Sequence, residues 1–284
     1  MSEPRLKIGV VAPGSRLAPE MADRVKAVAA KVYPQHTPEI IFHPQCFLSS
    51  GHFAGDDTAR AEAFLDVAND ESFDALWFAR GGYGACRILD RVMQKLTRDA
   101  RKKTYLGYSD AGSILGALYN EGFQNLAHGP LPADIKRDGG EAAVTRALRY
   151  LVERDPQSLE ANVSPDIKAA AFNIVILGML IGTPYEPDLS DHVLMLEEIS
   201  EHMYRIDRML FHLTSNPRLR RLKGLRLGRC SDILPNEPDF GQTEEQVARH
   251  WCDRSGIPYL GRADIGHDIH NKVVPFGVEE TRVS

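Results

Sequence analysis

Cysteine is scarce and scattered in this sequence: Cys46, Cys86, Cys230 and Cys252 lie far apart, with no Cys-x-x-Cys pair. That spacing argues against zinc and redox motifs and leaves reduced, partly buried thiols as the expectation. Long apolar runs are missing as well. The longest, Ala169–Ile181, is broken by Asn173 and Gly178 and is too short to span a bilayer, so no membrane partner is expected. The first residues go directly into a strand pattern, with no charged region followed by an apolar one. A signal peptide is therefore not expected, and a cytoplasmic location is. Basic stretches are lacking too: the net charge is -5, and the densest cluster, Arg218, Arg220, Arg221 and Lys223, reads as a solvated helix end. Nucleic acid is not an expected partner. Nor is there a Walker pattern, a Gly-x-Gly-x-x-Gly, a repeat or a low-complexity tract.

What is there is an ordinary globular composition, 43% hydrophobic and 26% charged, in 284 residues, enough for two cores. The first half alternates strand and helix signals. Strands are expected at Lys7–Ala12, Glu39–Phe42, Ala75–Ala79, Thr104–Gly107 and Gln124–Ala127. Helices are expected at Ala18–Val32, Asp56–Asn69, Cys86–Leu96 and Ala111–Tyr119. Such alternation predicts an α/β fold, a parallel sheet with helices on both faces and ligands beyond the carboxyl ends of its strands. Residues 154–165 carry two prolines and little hydrophobicity and read as a linker, which divides the chain into residues 1–155 and 166–284. In the second part, helices are expected at Asn173–Ile181, Arg205–Leu213 and Glu244–Ser255, the last capped by Thr243. Strands are expected at His192–Leu196 and Leu225–Ile233, with short strands and loops over Ile257–Phe276.

Ser109 follows the strand Thr104–Gly107 and precedes a helix, the place of a nucleophile elbow, which projects a hydroxyl above the sheet. Its window is Gly107-Tyr108-Ser109-Asp110-Ala111, so alanine stands where the usual Gly-x-Ser-x-Gly has its second glycine. By itself the window would equally suit a helix cap. The neighbouring strand end, Arg80-Gly81-Gly82-Tyr83-Gly84, strengthens the case, because paired glycines let backbone N–H groups approach a developing oxyanion. A serine also needs a base and an orienting acid. His267, in Gly266-His267-Asp268-Ile269-His270, has the context of a loop histidine, and a metal site of His267 and His270 lacks a third ligand pattern. For the acid, Glu197, Glu198 and Glu201 all follow the apolar strand, and the residues alone do not choose among them.

These pieces form an ordered series. It begins with Gly55-Asp56-Asp57-x-x-Arg60, Arg80-Gly81-Gly82-Tyr83-Gly84 and Gly107-Tyr108-Ser109-Asp110. It continues with Leu180-x-Gly182-Thr183-Pro184-Tyr185, Leu196-Glu197-Glu198 and Tyr204-Arg205-Ile206-Asp207-Arg208-Met209-Leu210. It closes with Asp239-Phe240-Gly241 and Gly266-His267-x-x-x-Asn271-x-x-x-Pro275-x-Gly277. In that order the series resembles the LD-carboxypeptidase family of serine peptidases, which includes the microcin-C immunity peptidases. The resemblance implies Ser109 as nucleophile, Glu197 as acid and His267 as general base, with the backbone N–H groups of Gly82 and Asp110 as oxyanion hole. Arg80 and Tyr83, flanking those glycines, are the expected substrate contacts. It also implies an N-terminal domain resembling class I glutamine amidotransferases, a smaller C-terminal α/β domain and a site between them. The implied substrate is a small peptide, a murein tetrapeptide losing its terminal D-alanine in cell-wall recycling. The immunity branch would instead cleave peptidyl- or aminoacyl-nucleotide toxins, and a catalytically silent binding protein on the same scaffold is a third expectation. No metal or organic cofactor is implied, and a homodimer is. The chain departs from the common family pattern at Ala171-Phe172-Asn173, at His202-Met203 and in having Glu-Glu rather than Glu-Asp.

Overall fold

The computed structural model describes residues 5–278. Its first half is the expected alternation, β1 (Lys7–Val11), α1 (Pro19–Val32), β2 (Glu39–Phe42), α2 (Asp57–Asn69), β3 (Ala75–Phe78), α3 (Leu89–Met93), β4 (Thr104–Gly107), α4 (Gly112–Asn120), β5 (Leu126–His128) and α5 (Gly140–Glu153). The second half adds β6 (Ala169–Asn173), α6 (Ile174–Leu180), β7 (Val193–Ile199), α7 (Met203–Ser215), β8 (Gly224–Ser231), α8 (Glu244–Ser255), β9 (Tyr259–Arg262) and β10 (Val274–Pro275). One sheet has the order β10-β5-β4-β3-β1-β2 and the other β6-β7-β8-β9. Every pairing is parallel except that of β10 with β5. Strands β3 and β4 are buried along their whole length, as strands covered by helices on both faces must be. Helix starts follow local chemistry. Asp56 accepts from the Ala59 N–H at 2.8 Å, and Thr243 forms a capping box with Gln246.

One local expectation needs correction. The helix expected over Cys86–Leu96 shrinks to α3 behind a 3-10 turn at Ala85–Ile88. The Asn69 side chain takes up the Lys95 carbonyl and the Thr97 N–H just past its end, at 3.0 and 2.9 Å, where further helix would have been. Ala169–Asn173, rich in alanine, is strand β6, because β7 offers a parallel partner and neighbouring helices bury it. The 154–165 segment, expected as a linker, is tied down: Leu159 bridges to Val273, the Glu160 N–H bonds the Val273 carbonyl at 2.9 Å, and the Ser158 hydroxyl bonds the Arg146 carbonyl at 3.0 Å.

The division at residues 155 and 166 is also crossed in space. β10, from the far end of the chain, forms the edge of the first sheet, where a proline is tolerated because its missing N–H would face no partner. Just beyond it, Gly277 and Ala169 exchange two backbone hydrogen bonds of 2.8 Å, which stitches β10 to β6 of the second sheet. Leu115 and Leu118 of α4 share a buried cluster with Phe172, Ile174, Leu177 and Leu180. Gly112 and Gly116 make that approach possible, since a methyl group at Gly116 would come within 2.6 Å of Leu180. The two sheets are thereby held together. A cleft of about 770 Å³ opens instead where β5, β6 and β7 begin, lined by Tyr119, Lys168, His192 and Phe276, and does not include Ser109.

Candidate active site

β4 ends at Gly107, Tyr108 continues extended, and Ser109 turns sharply at φ 61° into a short 3-10 turn that leads to α4. A non-glycine residue in the left-handed region costs of order 1–3 kcal/mol. The buried neighbours Tyr108, Asp110 and Ala111 hold it there, and the hydroxyl is left half-buried beyond the strand end. Ser109 Oγ lies 2.9 Å from His267 Nε2, and His267 Nδ1 lies 2.5 Å from Glu197 Oε2. A carboxylate only accepts, so Nδ1 carries the proton and donates, and the Nε2 lone pair faces the serine hydroxyl.

The three acidic candidates part company here. Side chains alternate along β7, so Glu197 and Glu198 leave on opposite faces. The pairing of β7 with β8 shifts register here, Leu196 facing Leu227 and Glu198 facing Cys230, so the extra residue lies in β8 and β7 keeps its alternation. Glu197 is completely buried against His267. Glu198 accepts from Asn173 Nδ2 at 2.6 Å, the Ile199 N–H at 2.9 Å and the Val175 N–H at 3.1 Å, which places its carboxyl as an acceptor at the start of α6. Burial pushes its carboxyl up to about 7. Glu201 pairs with Arg205 at 3.4 Å on the outer face.

Burial works to lower the His267 pKa, but the Glu197 carboxylate, with smaller help from Asp134 and Glu198, outweighs it. The net shift is upward. The Tyr108 ring lies 4.8 Å from the His267 ring, and its hydroxyl donates to Asp134 at 3.0 Å. Asn271 Oδ1 accepts from the Gly266 N–H and from His128 Nε2, both at 3.2 Å, which fixes the backbone just before His267. Burial holds His128 neutral, its pKa down to about 4.

In the glycine loop, Gly81 is the residue packed on the serine: a Cβ there would come within 2.8 Å of Ser109 Oγ. Gly82, at φ 103°, lies instead against Ser15, whose side chain occupies the space of any Cβ. The Asp110 carboxylate points inward and accepts from the Ala85 N–H at 2.9 Å. Arg80 is half-buried and donates to the Arg16 carbonyl at 2.9 Å, while Tyr83 stands 49% exposed beside His52 and Phe53. Ser109, His267, Glu197 and Gly81 are thus in contact, with Gly82 and Asp110 beside them. Tyr83 is open to solvent on the same loop. His270 is exposed, and the described residues include no cluster of three or more side chains able to hold a metal.

Residues 8–129 match the model of the LD-carboxypeptidase N-terminal domain, and residues 170–281 that of the LD-carboxypeptidase C-terminal domain. The chain belongs to the LD-carboxypeptidase family. It is 26% identical over 282 residues to the probable murein peptide carboxypeptidase of Bacillus subtilis, across 96% of this chain and 87% of that one. Muramoyltetrapeptide carboxypeptidase from Oxalobacter formigenes shares its fold, with a TM-score of 0.76, 22% identity and 96% of each chain covered. So does MccF in complex with glutamyl sulfamoyl guanosine, at a TM-score of 0.76 and 14% identity over 98% of this chain and 97% of that one.

Sequence reasoning passed over several residues around this LD-carboxypeptidase-family site. His128 lies one residue beyond the strand expected at Gln124–Ala127, so a strand-end histidine was the available signal. Tyr108 was legible only as a neighbour of Ser109. Asp134 reaches the site through Tyr108, across a separation in sequence that no spacing rule predicts.

Proposed function

We propose that the chain is a serine carboxypeptidase that releases the terminal D-alanine from murein tetrapeptides in the cytoplasm, as part of cell-wall recycling. The observation that carries this reading is the hydrogen-bonded series Ser109–His267–Glu197, with contacts of 2.9 and 2.5 Å, set against Gly81. Membership of the LD-carboxypeptidase family and the likeness to a murein peptide carboxypeptidase support the substrate class. In the proposed reaction Ser109 Oγ bonds the carbonyl carbon while its proton passes to His267 Nε2. The oxyanion is received by backbone N–H groups of Asp110 and the Gly81–Gly82 segment. As the carbon–nitrogen bond breaks, His267 returns the proton to the leaving amine of D-alanine. Water, deprotonated by the same imidazole, then releases the acyl group from Ser109. Glu197 holds the Nδ1 proton throughout and stabilises the imidazolium.

A second reading is favoured by one observation, the exposed Tyr83 with His52 and Phe53 beside the glycine loop. Such a surface suits a flat ring, as in the aminoacyl nucleotide analogue held by MccF. One panel decides: a murein tetrapeptide, its L,L-linked counterpart and an aminoacyl sulfamoyl nucleoside, each with wild type and Ser109→Ala. The expected result is D-alanine release from the tetrapeptide alone, reduced about 10⁴-fold or more in Ser109→Ala. Near wild-type release by Ser109→Ala overturns the mechanism. Preferential cleavage of the nucleoside conjugate favours the second reading, and no turnover of any compound by wild type favours a binding protein.

A further inference from the structure

The glycine loop has little stiffness of its own: Gly82 and Gly84 both hold positive φ, 103° and 137°, and Gly81 has no side chain to lock it. Donors to an oxyanion must nonetheless be preorganised to within tenths of an ångström. Two charged residues, both almost wholly buried, meet on this loop without touching the serine hydroxyl. Arg60, from α2, donates through Nη1 to the Gly84 carbonyl at 2.8 Å and, through the same nitrogen, to the Pro13 carbonyl beyond β1, while Nη2 binds Asp57. Asp110, next to Ser109, accepts from the Ala85 N–H at 2.9 Å. The Gly84 carbonyl and the Ala85 N–H are the two ends of a single peptide group. One residue grips each end.

We propose that Arg60 and Asp110 are positioning residues that clamp the Gly84–Ala85 peptide and so fix the Arg80–Gly84 loop against Ser109. The inference rests on the reading of Ser109 as nucleophile and of this loop as part of the oxyanion site. The surroundings are built for the clamp. A Cβ at Gly14 would come 2.7 Å from Asp110 Oδ2, and one at Gly84 would come 2.8 Å from Arg60 Nη1, so bare backbone is required on both sides. Asp110 stays in place although burial pushes its carboxyl up to about 6, against the pull of the Ala85 and Gly84 N–H groups and Arg60. Because Asp110 directly follows Ser109, the clamp links the turn that carries the hydroxyl to the loop that faces it. Arg60 extends the link to the loop beyond β1.

The test uses the full chain and reads kcat and KM for D-alanine release, the affinity of a peptide aldehyde, and Tm. The aldehyde reports on the oxyanion site because its serine adduct is tetrahedral, whereas KM for the peptide also reflects ground-state contacts. Asp110→Ala is expected to lower kcat about 10²-fold and weaken the aldehyde in proportion, with KM within about threefold of wild type. Asp110→Asn, which keeps an acceptor oxygen, is expected to recover about a tenth of wild-type kcat or more. Arg60→Met is expected to resemble Asp110→Ala. The double variant should be no worse than either single one, since both hold the same peptide. Where Asp110→Ala fails to fold, Arg60→Met and Arg60→Lys carry the test through the same parallel loss of kcat and aldehyde affinity. The clamp is overturned by wild-type kcat and aldehyde affinity in the folded Asp110→Ala and Arg60 variants, or by losses that follow Tm and KM while the aldehyde still binds. Ser109→Ala run alongside separates the two readings: if it stays active, the nucleophile reading has failed, and if it is dead while Arg60→Met and Arg60→Lys behave as wild type, only the clamp has.

Discussion

Replacing Glu197 with glutamine removes one charge from the candidate site and almost no volume. The carboxylate is fully buried and bonds His267 Nδ1 at 2.5 Å, a charge-assisted hydrogen bond worth about 1.5–3 kcal/mol. Glutamine offers Nδ1 either an oxygen or an NH₂. In the second orientation the imidazole proton moves to Nε2, the atom that has to accept the serine proton, and that fraction of the enzyme is idle. Loss of imidazolium stabilisation and of the correct tautomer together predict a kcat lower by about 10²–10⁴-fold, about 2.7–5.5 kcal/mol of barrier. The pH profile gives a second reading of the same bond. His267 must be neutral to accept the proton, so wild-type kcat/KM should fall as pH drops through a His267 pKa lying above the ordinary imidazole value. Without the Glu197 charge, burial is no longer offset by its strongest opponent, and the acid limb moves to lower pH. Stability follows with a definite sign. A histidine pKa raised in the folded state contributes stability that is full below the unfolded value and is lost as pH rises through the folded one. The Tm deficit of Glu197→Gln should therefore be larger in acid than in alkali. D-alanine release and calorimetry across about pH 5 to 9 measure both. A kcat/KM within tenfold of wild type, with an unmoved acid limb, would refute the orienting role of Glu197.

Gly81→Ala would push a methyl group to within 2.8 Å of Ser109 Oγ and 2.9 Å of Ser109 Cβ. The expected outcome in a peptide-release assay is a loss of about 10²-fold in kcat at nearly unchanged Tm, because either the hydroxyl or the loop must move. Phe172→Ala removes a buried ring of β6 that packs on Phe276 at 5.0 Å between centroids and covers α4 at Gly112 and Gly116. It should cost about 3–5 kcal/mol in denaturant unfolding, through one transition shared by both halves of the chain. Two separated transitions would show that the halves unfold independently.

By itself the sequence determined the alternation of buried strands and helices in the first half, because a strand covered on both faces has to be apolar throughout, as Ala75–Phe78 is. It marked Ser109 and the Arg80–Gly84 loop as neighbours, since consecutive strand ends of a parallel sheet open on the same side. It left Glu197, Glu198 and Glu201 equivalent. Only the tertiary structure separated them: the pleat of β7 sends one carboxylate to His267 and the next to the N-terminus of α6, and the third lies beyond the strand. Ala169–Asn173 became a strand against its alanine-rich composition because a partner strand and the helices covering it outweigh intrinsic preference. The 154–165 segment became fixed because Val273, more than a hundred residues away, supplies its hydrogen bonds. The same distance in sequence hides the meeting of Ser109 with His267. Local patterns record what each residue needs from its immediate neighbours, whereas these contacts depend on how two sheets are stitched together at β10, a consequence of packing that no window of sequence contains.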